Sequence, residues 1–167
     1  MGGKALKIGG TAALGAIAYN AYRNWQTNKN QPQQPTQQAA LNFGSMPPAV
    51  QEDHCRVMLA AMIAAAKADG NFDEREQQLI HEQLGKSNDP DVVAWVQKEI
   101  NKPLDVNEIS ALASSPELAV EIYLASLIVI DEQSAPEKKY LNSLAEKLKL
   151  DPQLRKEIEQ QLANANV

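Results

Sequence analysis

Cysteine is nearly missing from this chain. Cys55 stands alone, so no internal disulfide can form, which suits a reducing compartment. Aromatic residues make up only 5%. Alanine, leucine, glutamate, glutamine and lysine abound instead, a composition that leans to helix and predicts almost no sheet. Acid is absent from residues 1–51, which carry Lys4, Lys7, Arg23 and Lys29, whereas residues 52–167 hold 12 bases and all 21 acids, so +4 stands against −9. The acidic part repels phosphate backbones, and nucleic acid is not an expected partner. A Gly-rich phosphate loop, a Ser-His-Asp order and an activated cysteine context are also lacking, so an enzyme is not expected.

No uninterrupted apolar run reaches bilayer length. The longest candidate is the uncharged stretch of 15 residues from Ile8 to Tyr22, bracketed by bases and closed by Tyr19, Tyr22 and Trp25. As a helix it reaches only about 22 Å, against roughly 30 Å of hydrocarbon. Spanning then needs snorkelling by Lys4, Lys7 and Arg23, aromatics in the headgroup belt and close packing through small residues. Three readings stand side by side. In one, residues 8–22 associate with a membrane, single-pass or monotopic; in the second they form an alanine- and glycine-rich soluble helix; in the third they are a signal peptide cut after Ala16-Ile17-Ala18. Two bases on each side leave the orientation open.

Composition divides the rest. Residues 1–25 form the apolar segment, and 26–50 form a Gln/Pro-rich stretch, with Gln31-Pro32-Gln33-Gln34-Pro35 and Pro47-Pro48, that reads as a flexible tether averaging roughly 28 Å end to end. Residues 51–167 form an acidic helical domain. Its punctuation is open: a helix from about Glu52 to Ala68 stopped by Gly70, one opened by Asp73 with Glu76, one by Asp89-Pro90, a short one by Asp105, an apolar one after Ser115-Pro116, one capped by Ser134 with Glu137, and a last one after Asp151-Pro152. This predicts an all-α fold, a compact bundle of about seven helices.

Two helices in this pattern end on an aspartate, Asp69 and Asp131, each followed by a glutamate a few residues on. A carboxylate at a helix C-terminus faces the negative end of the macrodipole, so a role beyond local stability is indicated. Glu76 and Glu137 have an ordinary explanation as capping-box partners, as do Asp73 and Ser134 as N-caps. Asp69, Asn71 and Asp73 imitate the start of an EF-hand, yet Glu74 stands where glycine is needed and Ile80 where glutamate is needed, which rejects that motif. His54, Cys55, His81 and Glu82 lack zinc spacing and read as ordinary helix residues. Glu121 marks a polar face or points toward the acidic turns; Trp95 and Tyr123 read as core.

The strings Ala65-Ala66-Lys67-Ala68-Asp69-Gly70-Asn71-Phe72-Asp73-Glu74-Arg75-Glu76, Lys102-Pro103-Leu104-Asp105, Glu121-Ile122-Tyr123 with Ile130-Asp131, and Glu137-Lys138-Lys139-Tyr140-Leu141 resemble the YebE family of predicted bacterial inner membrane proteins of unknown function. That family is placed with the TerB-like domains, named after a tellurite-resistance protein. The resemblance covers roughly residues 57–162 and extends to the apolar segment, implying a membrane anchor rather than a cleaved signal and an inner-membrane location, with a soluble cytoplasmic protein as the alternative. It also implies a divalent-cation site (Ca, Mg or Mn) on Asp69, Asp73, Glu76, Asp131 and Glu137. Hard cations want several oxygens, which two neighbouring turns can supply. The second turn departs from the first, with Glu132 in place of Gly70 and six residues rather than seven between aspartate and glutamate (137−131 against 76−69). Two functions follow: a membrane-associated module that binds a divalent cation in envelope or metal stress, or a metal-free adaptor that recruits a protein partner.

Overall fold

The computed structural model describes residues 10–29, 47–84, 89–130 and 134–165, and these are helical throughout apart from turns and short connections. Eight helices follow in order among them: α1 (Gly10–Asn28), α2 (Pro48–Ala66), α3 (Glu74–Leu84), α4 (Pro90–Asn101), α5 (Val106–Ala111), α6 (Pro116–Val129), α7 (Ala135–Lys147) and α8 (Pro152–Ala165). Local chemistry sets most of their starts. Asp89 Oδ1 accepts from the Asp91 amide at 2.9 Å, Asp105 Oδ1 from Asn107 at 2.9 Å, Ser115 Oγ from Leu118 at 3.1 Å and Asp151 Oδ1 from Gln153 at 2.8 Å. Three of these caps are followed directly by a proline, whose missing N–H costs nothing in a first turn. The all-α bundle expected from the sequence is what forms.

The centre of the molecule is the pair α2 and α6, which pack along each other. Every residue of α2 from Met58 to Ala66, and every one from Ala119 of α6 to Ile130 just past its end, is buried. Alanines at 60, 61, 64, 65 and 66 keep the side chains of α2 short, so its backbone approaches α6 closely. Ser126 Oγ marks the contact: it donates to Ile122 O at 2.9 Å within α6 and lies 3.5 Å from Ala61 O of α2. Around this pair, α3, α4 and α5 lie on α2, α7 lies on α5 and α6, and α8 lies on α6. Lys67, just past α2, donates to the carbonyls of Glu99 and Lys102 at 2.8 and 2.6 Å and so closes the C-terminal end of α4.

Boundaries differ from expectation at two places. α2 begins at Pro48, one turn before Glu52, because Pro47 takes an extended conformation (φ −55, ψ 142) and leaves Pro48 to open the helix. α1 runs on to Asn28, into the stretch read as tether. Residues 30–46 lie outside the described residues.

Of residues 8–22, those from Gly10 on are described as part of α1, and 8 and 9 lie outside the described residues. No described helix is long and apolar enough to cross a membrane, so the transmembrane and inner-membrane expectations find no support. Alanine and glycine in place of leucine leave α1 too weakly apolar. The same small residues let it pack on protein: Ala18 and Ala21 are buried, with Ile17, Tyr22 and Trp25 half-buried beside them, against α8 and α6. Two polar contacts hold its last turns to α8, Asn24 Nδ2 to Glu157 Oε1 at 3.0 Å and Lys29 Nζ to Asp151 Oδ2 at 2.5 Å.

Candidate functional site

Beyond Ala66 the chain leaves α2 through two tight turns and reaches Gly70, whose φ of +80° is in the left-handed region that glycine adopts without strain. Asp69 Oδ1 accepts from the Asn71 amide at 2.7 Å, a local turn that points its carboxylate forward rather than back over α2. Two residues on, Asp73 Oδ1 accepts from the Glu76 amide at 2.8 Å while Glu76 Oε2 accepts from the Asp73 amide at 2.9 Å. The second exit repeats this arrangement: Ser134 Oγ accepts from the Glu137 amide at 3.4 Å, and Glu137 Oε2 from the Ser134 amide at 2.7 Å. Both capping boxes expected from the sequence are present.

Neither glutamate sits on the surface as a capping partner ordinarily does. Glu76 is 5% exposed and Glu137 6%. The two exits lie side by side: Arg75, in the first turn of α3, donates to the carbonyl of Val129, the last residue of α6, at 3.1 Å. The electrostatics show the same convergence. Burial pushes the Glu76 carboxyl up to about 7; the Asp73 amide pulls it back, and the carboxylates of Asp73, Asp69 and Glu137 raise it further. Asp69, Asp73, Glu76 and Glu137 therefore share one neighbourhood although α4, α5 and α6 intervene along the chain. Asp131 lies outside the described residues. Among those described, no three His, Cys, Asp or Glu side chains stand close enough together to hold a metal ion. What the geometry supplies is a partly buried excess of negative charge next to the end of α6.

The family described as a protein of unknown function, DUF533, matches residues 1–162. The chain belongs to the DUF533 family. A more distant curated relative, described as an uncharacterized protein in the ampR 5' region of Yersinia enterocolitica, is 29% identical over 106 residues, 63% of this chain and 76% of that one. No solved structure matches. The family match runs from before α1 into α8, so in this DUF533 chain the docked helix and the acidic exits fall within one family match.

One ionic contact escaped the sequence reading. His54 of α2 places Nε2 2.5 Å from Oε2 of Glu121, a carboxylate that is 2% exposed in the middle of α6. Glu121 thus marks no polar face and does not turn toward the acidic exits; it is held against α2. Glu121 carries a signal, as the single ionisable residue within an otherwise apolar run, but His54 stands among Glu52, Asp53 and Arg56, and nothing local says that the two meet.

Proposed function

We propose that this DUF533 chain is a non-enzymatic, TerB-like helical domain that takes up a divalent cation where its two acidic exits meet, and that residues 8–22 bring it to a membrane surface without crossing the bilayer. The observation that carries the cation reading is Glu76: a buried carboxylate raised to about 7 with three further carboxylates bearing on it. Such a neighbourhood costs free energy while it is ionised and empty, and a hard cation removes that cost by neutralising several oxygens at once. Asp69 and Asp73, half-buried and exposed, are the members with room to turn toward an ion. Asp131, at the second exit, completes the set as the resemblance has it. A role in envelope or metal stress follows from the same reading.

The test is thermal. Millimolar Mg²⁺, Ca²⁺ or Mn²⁺ raises the melting temperature of the full chain by linkage, and Asp69→Asn with Asp131→Asn removes the rise. No metal-dependent shift in the native chain ends the cation reading and leaves the metal-free adaptor, whose protein partners survive chelation and the same two substitutions.

A further inference from the structure

We propose that α1 is a releasable strap, docked on the acidic side of α8 and able to leave it for an anionic lipid surface. The inference rests on the membrane reading of residues 8–22 and adds to it a mechanism of control. α1 comes from the only part of the chain with no acid, and its docking surface is acidic: Asp151, which caps α8, and Glu157 of α8 meet Lys29 and Asn24, and Glu117 of α6 bears on the Tyr22 hydroxyl. To a helix that carries Arg23 and no acid, with Lys29 just past its end, that surface offers negative charge as a layer of lipid phosphates does.

The side chains that would anchor α1 in a headgroup region are the ones engaged by the bundle. Trp25 and Tyr22 lie against each other, ring centroids 5.6 Å apart, half-buried, and Lys29 sits over the Trp25 ring at 4.8 Å while reaching Asp151. In a membrane interface the aromatics take the headgroup level and the lysine takes phosphate. One helix face therefore serves two alternatives, and docking excludes lipid. The closing contacts are weak. Lys29 and Asp151 keep 34% and 27% of their side chains exposed, so solvent screens the pair. The only fully buried side chains described on this face are those of Ala18 and Ala21, which bury little area, while the larger Ile17, Tyr22 and Trp25 are only half-buried. Nineteen residues, 29–47, separate α1 from α2 along the sequence, so release of the strap need not carry α2 with it.

Co-sedimentation of the full chain with vesicles of equimolar phosphatidylcholine and phosphatidylglycerol tests this. Asp151→Asn keeps an acceptor for the Gln153 amide and hence the cap of α8, but gives up the charge that holds Lys29; it should bind about threefold more tightly than the native chain. A second form carries Asn24→Cys and Glu157→Cys with Cys55→Ser, bridged by a short thiol cross-linker across the existing 3.0 Å contact. It should lose binding relative to the same protein without the bridge. Pure phosphatidylcholine should bind none of them. If the bridged form binds as well as the unbridged one, or Asp151→Asn binds no better than native, the strap is overturned while the membrane reading stands. If no form binds the anionic vesicles, both fall.

Discussion

Glu76 shows how one side chain can carry two roles that the sequence separates only in part. The Asp73-x-x-Glu76 pattern announces a capping box, and the box is there. That the same carboxylate is buried and lies within the electrostatic reach of Asp69 and Glu137 depends on helix packing, and no local pattern contains that information. A prediction follows from the sign of the shift. The carboxyl ordinarily titrates at 4.5 and does so at about 7 when folded, so the folded chain holds this proton more tightly than the unfolded one. Between those values stability falls as pH rises, and above about pH 7 the cost is present in full. Glu76→Gln keeps an acceptor for the Asp73 amide and removes the charge. Urea denaturation in the presence of a chelator should find the variant more stable than native at about pH 8, by about 1 kcal/mol once solvent screening is allowed for, and equal to it at about pH 4. A variant less stable than native at both values would show that the Glu76 charge is not a burden there.

Between elements, the legible and the illegible divide by distance along the chain. Starts such as Asp89-Pro90, Ser115-Pro116 and Asp151-Pro152 were readable because a cap acts within three residues. The His54–Glu121 pair was not, since it joins residues 67 positions apart (121−54). It lies across the central α2–α6 contact, and breaking it on one side leaves the buried carboxyl of Glu121 in that contact without its partner. His54→Ala should lower the free energy of unfolding by about 3–5 kcal/mol, because it strands the Glu121 carboxylate. Replacing both, His54→Leu with Glu121→Met, should recover most of the loss by refilling the space with apolar atoms. A double-mutant cycle in urea measures both steps. Equal losses in the single and the double variant would mean that packing, not the charge pair, holds α2 to α6 there.

At the scale of the whole molecule, α1 presents the same small residues whether its partner is lipid or protein. Composition and length lean only slightly to lipid, and the resemblance leans the same way, while soluble helix and signal peptide stay open as alternatives. The structure sets Ala18 and Ala21 against the bundle, and that choice depends on a surface built by α6 and α8, which lie far along the chain. An alanine with no exposed surface at a helix contact leaves no space for a larger side chain. Ala21→Leu should therefore push α1 off the bundle at a cost of about 1–3 kcal/mol to its docking, while α2 to α8 keep their packing. Hydrogen exchange resolves the two parts: amides of residues 10–28 should lose protection in the variant, and those of α2 and α6 should keep it. Loss of protection in both would make α1 a structural member of the core, and a helix that the core requires cannot serve as a strap.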